Sequence, residues 1–149
     1  MIFLGSDHAG FELKESIKDY LTEKGINYID IGTDSLKSVD YPDYALEVAK
    51  KVLTDNDKNS FGILVCGTGI GMEIAANKMD GIRAALAYDE YTAELAKRHN
   101  NANILTLGGR TTTPTEAIRY IDKFMSSRYE GGRHENRIFK ITSIERLKD

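Results

Sequence analysis

A chain of 149 residues, 41% apolar and with a net charge of −3, fits one domain over residues 1–149 and excludes collagen-like, disordered and membrane-spanning classes. That charge is wrong for a nucleic-acid binder, although a local basic patch could still hold a small anion. The single cysteine, Cys66, allows no internal disulfide, and a domain of this size buries about 70% of its unfolded surface, enough for a core without staples.

Short apolar runs at Ile2–Leu4, Tyr28–Ile31, Ile63–Val65, Ala84–Ala87 and Ile104–Leu107 predict five strands, most of them apolar on both faces and therefore buried. Between the first two, Leu13, Ile17 and Leu21 repeat at helical spacing before Gly25; Ala45, Val48, Ala49 and Val52 do so after Pro42. Further helices are predicted over Met72–Asn77, Asp89–His99 and Pro114–Ser126, the last opened by Thr113, Pro114 and Glu116 in a capping-box pattern. Strand and helix alternate, which predicts an α/β, Rossmann-like three-layer sandwich on a five-stranded parallel sheet, with ligand sites at the carboxyl ends of the strands. Polar, glycine-containing residues from Arg128 to Arg137 read as a C-terminal arm. Ile138, Ile141 and Ile144 then give a final helix whose apolar face needs a partner, either this domain or a second subunit.

The sharpest local feature is Cys66-Gly67-Thr68-Gly69-Ile70-Gly71, where a buried strand delivers a thiol into a glycine-rich turn that opens a helix. Such a turn lets backbone N–H groups meet a developing anion, and makes Cys66 usable as base or nucleophile if it stays partly exposed. The plain alternative is an inert buried cysteine at a tight turn. A P-loop lacks its lysine and adjoining hydroxyl here, and a cysteine phosphatase lacks its arginine, because Met72 and Glu73 follow Gly71. A receiver domain would need aspartate at Cys66 and lysine where Gly108-Gly109-Arg110 stands. A dinucleotide loop needs a different glycine spacing, although Asp89 lies twenty residues beyond Gly69 and keeps a nucleotide-binding module in view.

Other groups fall at useful places. Asp7 and His8 follow the first strand, at the sheet edge expected for Cys66; helix capping by Asp7 and simple exposure of His8 are the alternatives. Arg98-His99-Asn100 closes a helix, where basic residues also suit the helix dipole. Arg110, Arg128, Arg133 and Arg137 supply guanidinium forks for phosphate, or else a solvated arm. His8, His99 and His134 are far apart in sequence, so no metal site is expected. The start Met1–Leu4 is too short for a signal peptide, and a cytoplasmic location is expected.

Taken in order, Gly5-Ser6-Asp7-His8-Ala9-Gly10, Asp40-Tyr41-Pro42, the Cys66–Gly71 loop, Gly81-Ile82-Arg83-Ala84, Arg98-His99-Asn100 and Tyr129-Glu130-Gly131-Gly132-Arg133-His134 resemble the type B ribose-5-phosphate isomerase family, which includes galactose-6-phosphate isomerase subunits. The resemblance spans nearly the whole chain. It implies interconversion of ribose 5-phosphate and ribulose 5-phosphate in the non-oxidative pentose phosphate pathway, without metal or cofactor, by a homodimer whose sites draw on both subunits. It further implies Cys66 as the proton-transferring base, with Thr68 beside the reacting carbons. His99, lent by the other subunit, would assist ring opening. Asp7, His8, Gly67, Thr68, Gly69, Ile70, Gly71, Asn100, Arg110, Arg133 and Arg137 would bind substrate. Galactose or allose 6-phosphate is the alternative substrate.

Overall fold

The structure is a computed structural model that describes residues 1–148. Its order is β1 (Ile2–Ser6), α1 (Phe11–Glu23), β2 (Tyr28–Asp30), α2 (Tyr41–Thr54), β3 (Phe61–Cys66), α3 (Ile70–Ala76), β4 (Ala84–Leu86), α4 (Glu90–Arg98), β5 (Ile104–Gly108), α5 (Pro114–Ser126) and α6 (Arg133–Ile144), followed by a 3₁₀ turn (Glu145–Lys148). The strands form one parallel sheet ordered β2-β1-β3-β5-β4.

The period of two along each strand sorts side chains into two cores. Ile2 and Leu4, Ile63 and Val65, and Leu105 and Leu107 face one way, onto Leu13, Ile17 and Leu21 of α1, Ala93 and Ala96 of α4, and Ile121 and Phe124 of α5. Phe3, Leu64, Cys66 and Ile104 face the other way, onto Ala45, Val48 and Ala49 of α2 and Met72 and Ala76 of α3. The result is the three-layer α/β sandwich that the alternation predicts, with all five strands and six helices in place. Only the middle of the sheet is buried on both faces. The edge strands β2 and β4 are partly open, which shortens them relative to the apolar runs that announced them.

The helix ends follow local chemistry. Thr113 and Glu116 exchange side-chain bonds with each other's backbone N–H at the start of α5. At the start of α4, the Asp89 carboxylate accepts the Thr92 N–H at 2.7 Å. The C-terminal region differs from expectation. The arm is only residues 127–132, because Gly131 and Gly132, both at positive φ, turn the chain sharply and α6 starts at Arg133 rather than after Arg137. Of the residues of α6 only His134 is buried, and Phe139, Ile141 and Ile144 stand exposed. No helix among the described residues is long and apolar enough to cross a membrane.

Chain order reverses direction across the sheet at β1: β2 lies on one side of it and β3 on the other. The crevice between the carboxyl ends of β1 and β3 is therefore the topological switch point, where such sheets bind ligands.

Candidate active site

The switch point is lined by Asp7 and His8 after β1 and by the Cys66–Gly71 loop after β3. The two loops are tied together, since the Asp7 N–H donates to the Val65 carbonyl at 3.2 Å. Asp7 is buried, and its Oδ1 accepts the Gly10 N–H at 3.1 Å, so it does cap the turn into α1. His8 is half-buried, and its Nδ1 accepts the Val39 N–H at 3.2 Å. A neutral imidazole that accepts at Nδ1 carries its proton on Nε2, which makes Nε2 a donor.

Cys66 ends β3 and is only 4% exposed. It is less accessible than a reactive thiol was expected to be, and its Sγ accepts the Gly69 N–H at 3.2 Å. Gly69 sits at φ +81°, a conformation that side chains resist, and a β-carbon there would lie 2.9–3.0 Å from the Leu107 backbone. Gly71 leaves room for the ring of Tyr41, which would stand 2.6 Å from a β-carbon at that position. No hydrogen bond among the described residues engages the N–H groups of Gly67, Thr68 or Gly71, so these donors are available to an anion. Thr68 is exposed, with its Oγ1 accepting the Ile70 N–H at 3.3 Å; Ile70 is exposed as well. Arg110, after β5, donates its N–H to the Gly67 carbonyl at 2.9 Å. Its Nη1 lies 3.3 Å from where a Gly67 β-carbon would stand. One basic side chain thus joins the loop.

The remaining expected residues lie elsewhere. Each crossover helix runs antiparallel to its strands, so the carboxyl end of α4 is at the amino edge of the sheet. Asn101 there binds Arg83, which leads into β4, and Ala102 precedes β5. His99 and Asn100 are therefore separated from Cys66 by the length of β5, about 13 Å of strand. Arg133 and Arg137 are with them, one turn apart and exposed on α6. Asp7, His8, Cys66 through Gly71 and Arg110 form one group, and His99, Asn100, Arg133 and Arg137 form another at the opposite edge.

The second group is also more compact than the sequence suggests. Although 35 positions apart, the His99 and His134 rings stack with centroids 4.2 Å apart and planes at 19°, which corrects the reading of three isolated histidines. Glu130 stands beside both, held by Arg98 at 2.7 Å. The Arg98 hydrogen bond keeps the Glu130 carboxyl below the usual range. Burial, then repulsion by His99 and Arg133, pushes the His134 imidazole down. Tyr41 and Glu130 were not singled out as site residues by sequence reasoning. Their only signal is position, Tyr41 before the Pro42 that opens α2 and Glu130 beside the glycine pair. Asp89, which kept a nucleotide reading in view, spends its carboxylate on capping α4.

The sequence profile described as ribose/galactose isomerase matches residues 2–141. Ribose-5-phosphate isomerase B of Escherichia coli K12 is 43% identical over 148 residues, covering 99% of this chain and 98% of the relative. Among solved structures, a ribose 5-phosphate isomerase from Thermotoga maritima shares 54% identity at a TM-score of 0.92, over 95% of this chain and 97% of that one. The ribose-5-phosphate isomerase B of Mycoplasma genitalium, solved with bound ribulose-5-phosphate, shares 46% identity at a TM-score of 0.92, over 97% and 95% of the two chains.

Proposed function

The chain belongs to the ribose/galactose isomerase family, and from that membership we propose how its residues perform the aldose-ketose isomerisation that its relatives carry in their names. It is an isomerase of ribose 5-phosphate and ribulose 5-phosphate. The observation that carries the residue assignment is the placement of Cys66 at the switch point, against a loop with free N–H donors.

Aldose and ketose differ by one proton moved between adjacent carbons. The Cys66 thiolate removes it from one carbon and returns it to the other, while the N–H groups of Gly67, Thr68 and Gly71 stabilise the enediolate between. One such donor contributes roughly 3 kcal/mol to barrier lowering. Thr68 lies beside the reacting carbons. Asp7 and His8 bind sugar hydroxyls, with Gly69 and Ile70 completing the loop wall, and Arg110 offers a fork to the phosphate. No cofactor or metal enters this scheme.

His99 serves ring opening, and with Asn100, Arg133 and Arg137 it reaches the substrate from a second subunit. Two features support a homodimer. The two residue groups occupy opposite edges of one sheet, too far apart for one small sugar. The unpartnered face of α6, with Ile141 and Ile144, borders a groove of about 540 Å³ that Asn100 also lines. The expected location is the cytoplasm.

The experiment is turnover of ribose 5-phosphate beside allose 6-phosphate and galactose 6-phosphate, with chelator present. The ribose ester is turned over fastest, and Cys66→Ala abolishes turnover while still binding it. A faster hexose ester would move the substrate assignment, and an active Cys66→Ala would remove the assigned base. Mixing inactive Cys66→Ala and His99→Asn subunits restores about a quarter of the sites if each site draws on both chains, and none if it does not.

A further inference from the structure

One carboxylate oxygen at the amino edge of the sheet faces two imidazoles. Glu130 Oε2 is fixed by Arg98, through Nη2 at 2.7 Å and Nε at 2.9 Å, and Arg98 is braced in turn by Glu94 at 2.7 Å. The Glu130 N–H also donates to the Arg98 carbonyl at 3.0 Å. This carboxylate is therefore mounted on the turn of α4 that delivers His99. Its other oxygen, Oε1, lies 3.7 Å from His99 Nε2 and 3.6 Å from His134 Nε2. His134 is buried, and its Nε2 has no hydrogen-bond partner among the described residues. A buried nitrogen left without a partner is unfavourable, so what it faces needs an explanation.

A metal ion is one candidate, because the three ligand atoms lie within 4.8 Å of one another. Nearly parallel rings stacked at 4.2 Å direct their lone pairs side by side, however, not onto one point about 2.0–2.1 Å from each. Arg98 already occupies the carboxylate, and Arg133 and Arg137 add positive charge that opposes a cation. The cluster suits a proton better than a metal.

We infer that Glu130 is a positioning residue for His99: its Oε1 takes the His99 Nε2–H, fixing the ring's plane and tautomer and leaving Nδ1 to exchange a proton with the sugar. The inference rests on the isomerase reading above. Opening the aldose ring transfers one proton from the anomeric hydroxyl to the ring oxygen as the C1 carbonyl forms and the bond from C1 to the ring oxygen breaks. An imidazole committed at Nε2 carries that proton at Nδ1, which no hydrogen bond engages among the described residues. The 3.7 Å gap closes when substrate is bound, as catalytic hydrogen bonds do on forming the reactive complex. His134, stacked on the other ring, limits rotation away from the carboxylate.

Glu130→Gln keeps the size and an acceptor oxygen but removes the charge. Two reactions separate positioning from general damage. Consumption of ribose 5-phosphate requires ring opening. Solvent-deuterium exchange at C1 of ribulose 5-phosphate does not, because that ketose has its C5 oxygen esterified and closes no five-membered ring. The variant consumes ribose 5-phosphate about 10–100-fold more slowly, and exchanges ribulose 5-phosphate within about threefold of wild type. Glu130→Asp recovers part of the loss, and carries the same comparison should Glu130→Gln lose its circular-dichroism signal. Equal loss in both reactions, or no loss in either, overturns the inference. Failure of the isomerase reading looks different: wild-type protein then fails to exchange ribulose 5-phosphate, or Cys66→Ala still exchanges it.

Discussion

Gly69→Ala tests whether the loop after β3 is built around its backbone. Gly69 adopts φ +81°, and its N–H is the donor to Cys66 Sγ. An alanine in that region costs about 1–2 kcal/mol of backbone strain. Its β-carbon would stand 2.6 Å from Leu86 Cδ1 and 2.9 Å from the Leu107 carbonyl carbon. The leucine side chain can move, but the Leu107 backbone is a β5 ladder residue and cannot, so overpacking adds about 1–3 kcal/mol. For a chain of 149 residues, each kcal/mol moves the midpoint about 3 °C, so the total lowers Tm by about 6–15 °C. The same displacement pulls the N–H from sulfur and spoils the neighbouring donors, which reduces kcat about 100-fold or more. Thermal unfolding followed by circular dichroism reads the first effect, and steady-state isomerisation reads the second. A variant within 2 °C and threefold of wild type, both about the precision of such assays, would show that neither the φ angle nor the loop donors matter.

Two further changes probe stability away from the reaction. Lys14 is 1% exposed, with Nζ 2.6 Å from Asp30 and 3.2 Å from Glu15; Asp30→Asn leaves it inadequately paired and costs about 3 kcal/mol at neutral pH. Burial works to raise the Asp30 pKa, but hydrogen bonds from Lys14 and Lys18 outweigh it and hold the folded value below normal. Its contribution is therefore present above the unfolded value near pH ~4 and is lost as pH falls through the folded one. Denaturant titrations at several pH values must show wild type and Asp30→Asn converging in acid; a constant gap contradicts the linkage. Thr106 is fully buried, and its Oγ1 has no partner among the described residues, so the isosteric Thr106→Val raises stability by about 1 kcal/mol. A fall in Tm instead would reveal a partner, such as a buried water, for that hydroxyl.

The fold was legible because strand and helix periods are unambiguous here. Leu13, Ile17 and Leu21 recur on one helix face, Thr113 and Glu116 mark a helix start, and the central strands carry apolar residues on both faces. The failures have local causes. The arm was drawn too long, since Arg133 to Arg137 is polar and only the two left-handed glycines reveal that a helix has already begun. The zinc-spacing rule measured sequence separation, but the pairing of His99 with His134 is a property of how the arm packs back on α4. Tyr41 carries no chemistry of its own; its closeness to Gly71 appears only once α2 and α3 are in place.

Topology also bears on the proposed site shared between two chains. A parallel sheet concentrates loop chemistry at its carboxyl edge, and the crevice beside β1 brings together Asp7 and His8 after β1 and the Cys66 loop after β3. The α4 carboxyl end and α6 cannot reach that edge, because a crossover helix returns the chain to where the next strand begins. In the proposed dimer, residues placed there serve the site of the neighbouring subunit. The proposal thereby gives proton transfer to the rigid core of one subunit, where a one-residue shift would flip Cys66 to the wrong face. It gives ring opening to the exposed edge of the other. That division predicts different sensitivity to dilution: ribose 5-phosphate consumption declines as dimers dissociate, and the His99–Glu130 pair is lost to the site even though every residue of both subunits remains folded.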